Sequence, residues 1–260
     1  MTRLDPLPTE EDLHRFYAEG YRAEHEPGIS PEEAHRTELP EARTRVERLA
    51  PLLGPKLSLL EIGSSSGAFV ASVSPFVKSA AGVEPARVHR QWAKDKLGAE
   101  LVEKLEDLGS RRFDRIVLFH VLEHVRQPVE FTKRLLALLA PSGKLVVEVP
   151  SASDALITLY KVPAYPIFYY QNAHLWYFTA DTLTRVAQAA GGKAEITGVQ
   201  RYDLSNHLRW LETGKPGGMG FYKNVFPPAT DQAYRESLVR AGRADTLWAV
   251  IEPAPITHPR

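Results

Sequence analysis

The sequence predicts an α/β fold: a mostly parallel sheet flanked by helices, preceded by a helical cap and interrupted by two insertions. Three observations carry that prediction. From Lys56 onward, short apolar runs alternate with amphipathic stretches, as they do where strands and helices take turns around one sheet. Seven of those runs have strand character, enough for one large sheet. The chain of 260 residues is 43% hydrophobic and 25% charged, a composition able to bury a core.

Taken in order, residues 1–56 are rich in Pro, Glu, Arg and His and contain no strand-like run; helical patterning centres on residues 13–21 and 38–53. Residues 57–62 read as a buried strand and 67–76 as the helix after it. A second strand at 80–83 leads to a helix at 88–97, and a weak third strand follows at 99–102. Residues 113–119 form a strong fourth strand, 128–139 an amphipathic helix, and 144–149 a β-branched fifth strand ending at Pro150. A helix at 179–190 stops at Gly191-Gly192, and residues 194–199 and 246–251 are two late strands. The domain expectation is a cap over 1–56 and an α/β domain over 57–260, with insertions near 151–178 and 201–244. Both insertions follow strand ends or join late strands, where open α/β sheets place their ligand crevice, so both read as lids.

Charge and composition narrow the function. Thirty-two Lys and Arg balance 32 Asp and Glu, which argues against bulk attraction to nucleic acid or an anionic membrane. With no cysteine, thiol nucleophiles, disulfides, Cys-ligated zinc and iron–sulfur clusters are excluded. Residues 1–12 lack the basic start and apolar stretch of a leader peptide, and no apolar run approaches membrane-spanning length. The expectation is a cytoplasmic chain with no membrane partner.

The most informative segment is Leu59-Leu60-Glu61-Ile62-Gly63-Ser64-Ser65-Ser66-Gly67, a strand running into a glycine–serine turn and a helix. Small residues let the backbone approach a ligand there, and the helix start offers free N–H groups. In Gly82-Val83-Glu84-Pro85 an acid ends the second strand, where it can take both hydroxyls of a ribose. A dinucleotide turn would need glycines where Ser65 and Ala68 stand. No tyrosine has a lysine four residues on, which removes the acid/base pair of short-chain dehydrogenases.

Those residues resemble the class I S-adenosylmethionine-dependent methyltransferases, in the branch acting on small molecules, whose turn runs from an acid through glycine and small residues to a closing glycine. Glu61, Gly63 and Gly67 match, with Ser65 in place of the commoner middle glycine. The resemblance continues through residues 113–125, Phe-Asp-Arg-Ile-Val-Leu-Phe-His-Val-Leu-Glu-His-Val, and through residues 138–150, which are similar to the family's fourth and fifth strands. It implies a Rossmann-like seven-stranded sheet with one antiparallel late strand, S-adenosylmethionine as cofactor and S-adenosylhomocysteine as product. Carried over by position, it implies that Glu61 meets the amino acid end of the cofactor. Gly63, Ser64, Ser65 and Gly67 pass close to it, Glu84 and Pro85 border the ribose, and Leu105 with backbone groups holds the adenine. Tyr21, with Tyr17, is expected to fold over the cofactor from the cap.

Methyl transfer from a sulfonium needs an aligned acceptor and, where the acceptor is protonated, a base. Among nine histidines, His14, His25, His35, His89 and His258 sit in polar or terminal contexts and are expected at the surface. His120 ends the fourth strand, where the resemblance implies contact with the methionine end or service as base. His174, in a segment similar to one in sugar C-methyltransferases, is a further base candidate whose replacement by Asn is expected to cost orders of magnitude in turnover; His207 is the third. His120-x-x-Glu123-His124 also resembles a metal cluster of other methyltransferases, but its first acid is His here and no metal is expected. Tyr170, Trp176, Tyr202, Asn206 and Trp210 suit a polyhydroxyl acceptor, stacked on an aromatic and hydrogen-bonded at its rim. The expected reaction is O-methylation of a sugar, nucleotide sugar or secondary metabolite. The alternatives are N- or C-methylation of a small molecule, an RNA acceptor, or a binding protein that keeps the fold without the reaction.

Overall fold

The structure, a computed structural model, describes residues 2–9 and 28–255. The helix expected at 13–21, with Tyr17 and Tyr21, lies outside the described residues, as do His14, His25 and His258. Seven strands form the sheet, in the order β4-β3-β2-β5-β6-β9-β8. They are β2 (Gly54–Ile62), β3 (Val77–Val83), β4 (Glu100–Val102), β5 (Phe113–Phe119), β6 (Leu139–Pro150), β8 (Gly192–Val199) and β9 (Thr246–Pro253). Strands β2 to β5 pair in parallel, and β8 runs antiparallel to β9. The chain divides into two compact units. One comprises Met1–Leu7, Leu122–Phe131 and Val147–Ala254, and the other Pro8–Val121, Thr132–Val146 and Pro255–Arg260.

The unit built on β2 begins with helix α1 (Pro31–Leu49), whose start is a capping box: Ser30 Oγ accepts the Glu33 N–H while Glu33 accepts the Ser30 N–H at 3.0 Å. The sequence places helical patterning over 38–53, and the helix instead begins at Pro31 and carries Pro40 within it. Pro31 sits in the first turn, where its missing N–H costs nothing. Helix α2 (Ala68–Val73) is also shorter than expected, giving way to a 3-10 turn at Ser74–Phe76 as Pro75 enters. Helix α3 (Arg87–Leu97) turns His89 inward with Ala93, four residues on, so this histidine is 1% exposed rather than at the surface. Leu59, Leu60, Ile116, Val117 and Leu118 are buried, as a parallel sheet covered on both faces requires. Helix α4 (Pro128–Ala137) ends two residues early, and β6 starts at Leu139, five residues before the predicted Lys144.

The other unit begins with a strand that the sequence reading did not expect. β1 (Thr2–Arg3) pairs antiparallel with β7 (Trp176–Tyr177), and Leu4 N–H donates to Leu175 O at 3.0 Å. Two residues carry no periodicity, so no pattern could have exposed this strand. Its core gathers Leu156 of α5 (Ala155–Thr158), Tyr165 and Tyr169 of α6 (Tyr165–Tyr169), Tyr177, and Trp210 of α8 (Leu204–Thr213). Helices α7 (Ala180–Ala189) and α9 (Pro228–Arg240) complete it. No described helix is long and apolar enough to cross a membrane.

Candidate functional site

Parallel pairing sets Ile62 of β2 beside Val83 of β3 and Leu118 of β5, so three carboxyl ends finish side by side. The turn after β2 grows from that edge. The N–H groups of Gly63 and Ser64 both donate to Val83 O, at 2.9 and 3.0 Å, and that of Ser65 donates to Glu84 Oε2 at 2.8 Å. Most of the turn's N–H groups are therefore engaged by protein, and six-residue α2 is not the open helix start that the sequence suggested. The chain is forced close instead. Gly63 has φ +76°, and a Cβ there would stand 2.6 Å from Val121 Cγ2; one on Gly82 would stand 2.0 Å from Ser64 Oγ. Ser65 (φ +45°) and His120 (φ +54°) hold left-handed conformations that cost a non-glycine residue about 1–2 kcal/mol. Such strain is tolerated where the surrounding structure over-determines it, commonly at functional sites.

Two acids flank the turn. Glu61 is 5% exposed, and its buried Oε2 has no hydrogen-bond partner among the described residues. Burial pushes its carboxyl up to about 8, against the pull of Arg45 and a hydrogen bond with Ser64. Glu84, also buried, receives Ser65 N–H on Oε2 at 2.8 Å and Ala86 N–H on Oε1 at 2.9 Å. Arg90 clamps the next segment, donating to Glu84 O at 2.8 Å and pairing with Glu103 at 2.7 Å. Exposed Pro85 and half-buried Leu105 follow on from these residues.

The sequence reading missed Glu38 and Arg45. They lie seven residues apart on α1, two turns along one face. Glu38 receives the hydroxyls of Ser65, at 2.6 Å, and Ser66, while the Arg45 guanidinium lies 4.5 Å from the Phe119 ring centroid. The capping box and the Glu38–Ala42–Arg45–Leu49 spacing were readable as a helix face. What they face was not.

The other unit brings together residues of a different kind. His174 lies beside His124, ring centroids 4.8 Å apart, and these two with buried Glu123 hold one ligand atom each within 4.8 Å of one another. Tyr170 is exposed, whereas Trp176 is half-buried with its indole N–H donated to Val125 O at 2.8 Å. Half-buried Tyr202 gives its backbone N–H to Asp245 at 2.9 Å. Asn206 is buried and donates to Gly217 O at 2.8 Å; Trp210 is buried edge-on against Tyr165. His207 is 1% exposed, with Nδ1 against Tyr234 Oη at 2.5 Å and Nε2 near Gln200 Nε2 at 3.3 Å. Burial lowers its pKa to about 4.

The turn at the carboxyl edge thus lies between two buried acids, Glu61 at the end of β2 and Glu84 after β3, with the backbone pressed close at Gly63, a donor set whose chemistry would suit a cofactor with a cationic end and a diol, as S-adenosylmethionine has. The comparisons agree. A family profile described as a methyltransferase domain matches residues 34–194, and the chain belongs to that family. Among solved structures, it is similar to a SAM-dependent methyltransferase from Archaeoglobus fulgidus (20% identity, TM-score 0.54, covering 85% of this chain and 96% of that one). It is also similar to a SAM-dependent methyltransferase of Thermotoga maritima described as a possible histamine N-methyltransferase (19%, 0.51, covering 84% and 90%). A third is the magnesium protoporphyrin IX methyltransferase of Synechocystis PCC 6803 with bound SAH (11%, 0.54, covering 93% and 98%). No curated protein matches the chain. The cofactor is S-adenosylmethionine, and the enzyme is a methyltransferase.

Proposed function

We propose that this methyltransferase acts on a hydroxyl of a small polar acceptor, a sugar, nucleotide sugar or secondary metabolite, with S-adenosylmethionine held in the turn after β2. The observation that carries the cofactor assignment is the buried Glu61 oxygen without a partner among the described residues. Bound there, the sulfonium supplies an electrophilic methyl group. Glu61 receives the ammonium of the amino acid end, which returns its carboxyl to the charged form. Glu84 takes the ribose hydroxyls while the N–H bonds it accepts from Ser65 and Ala86 keep the turn in place. Gly63 and Gly67 keep the backbone close to the cofactor, and Ser64 and Ser65 line the turn. Leu105 and Pro85 bound the nucleoside end.

His120 is the proposed proton acceptor. It follows β5 directly with a left-handed backbone, next to Val121, whose side chain packs against Gly63. His207, Asn206 and Trp210 are buried and engaged within their own unit, so we assign them to holding α8 and α9 together and give them no contact with the acceptor. Trp176 donates its indole N–H to Val125 O, and the Tyr202 backbone N–H donates to the Asp245 carboxylate, so we assign both a structural part as well. Incubation with S-adenosylmethionine and panels of sugars, nucleotide sugars and phenolic metabolites tests the reading. Adenosylhomocysteine formation with a hydroxylated acceptor, lost in His120→Ala with cofactor affinity kept, is expected; turnover confined to amines or to RNA would overturn it.

A further inference from the structure

The turn after β5 and the segment before β7 are bonded rung by rung. Leu175 N–H donates to Glu123 O at 2.8 Å, His124 Nδ1 meets Ala173 O at 2.8 Å, and Trp176 Nε1–H donates to Val125 O at 2.8 Å. The second rung settles a tautomer. A carbonyl oxygen only accepts, so in the neutral ring His124 Nδ1 carries the proton and Nε2 is the nitrogen that could ligate a metal. That is how proteins orient a metal-binding imidazole, with the far nitrogen tied to backbone. Beside it stand a fully buried carboxylate, Glu123, and a second imidazole, His174, with one ligand atom from each of the three within 4.8 Å of the others.

We propose that Glu123, His124 and His174 form a binding site for a divalent transition-metal ion of the zinc class. Two imidazole nitrogens and one carboxylate oxygen suit zinc, cobalt or nickel and not magnesium or calcium, which prefer oxygen throughout. Three protein ligands leave a position open for water or an acceptor oxygen, as in sites where the metal meets substrate. The Leu175 N–H to Glu123 O bond ties together the two segments that carry these side chains. His174 then serves as a ligand, which is consistent with placing the proton acceptor at His120.

The inference goes beyond the methyl-transfer reading, and its test uses neither methyl donor nor acceptor. Tag-free full-length chain, stripped with chelator, is titrated with Zn2+ in a calorimeter and with Co2+ while visible ligand-field absorption is followed. One ion per chain is expected. His174→Ala and His124→Ala should each bind at least ~100-fold more weakly, since losing a direct ligand costs no less than losing a group that orients one. Unchanged S-adenosylmethionine affinity in both variants establishes that they are folded, which a failed fold at buried Glu123 could not confuse. Wild-type chain that takes up neither ion, or His174→Ala that binds as tightly as wild type, would overturn the proposal.

Discussion

Glu61 carries the sharpest residue-scale consequence. Its folded carboxyl titrates near 8 against an ordinary 4.5, so the free fold binds a proton that the unfolded chain gives up. That contribution is complete below about pH 4.5 and is lost as pH rises through about 8. Glu61→Gln removes the dependence. Thermal melts of the free protein should fall less between pH 5 and pH 8 in the variant than in wild type, while calorimetry shows at least ~10-fold weaker cofactor binding. His207 runs the other way. Its pKa is lowered from 6.5 to about 4, so wild-type stability falls as pH drops through that window, where the unfolded imidazole takes a proton that the folded one refuses. His207→Phe should flatten that slope, cost about 1–3 kcal/mol of unfolding free energy by removing the buried bond to Tyr234 Oη, and leave cofactor affinity alone. Glu84→Ala should do the opposite, weakening cofactor binding at least ~10-fold in the same titration, because it removes a ribose acceptor and the hold on Ser65 N–H.

At the scale of elements, α1 is tied to the turn after β2, since Glu38 accepts the hydroxyls of Ser65 and Ser66. Its Ser30–Glu33 box fixes the start from which Glu38 and Arg45 reach the turn after β2. Ser30→Ala should cost about 1 kcal/mol in denaturant unfolding, the usual worth of an N-cap. The sheet was legible because buried parallel strands leave long β-branched runs: β5 was read to the residue, and β2, β3, β8 and β9 within a few. The start of α1 was not, because two prolines mask a helix that uses one of them as its first residue. β6 escaped for another reason, since Leu139 continues the apolar face of α4 and only the fold assigns it to the strand. Of the candidate site, Glu61, Gly63, Ser65 and Glu84 were legible from strand-end position and spacing. The burial of His207, Asn206 and Trp210 was not, since amides and aromatics read alike on a binding rim and in a packed insert.

For the whole molecule, charge balance and missing cysteine keep their force. Methyl transfer on this chain uses no thiol, and recognition falls to local groups. The account's central claim is that the turn after β2, between its two acids, holds S-adenosylmethionine. Calorimetric titration of the cofactor into full-length wild type, Gly63→Val and His207→Phe tests it directly. Gly63→Val places a branched side chain at φ +76° and into Val121. One equivalent should bind wild type and His207→Phe alike, and binding to Gly63→Val should weaken at least ~100-fold. Absence of binding to wild type, or equal binding to Gly63→Val, would contradict the claim.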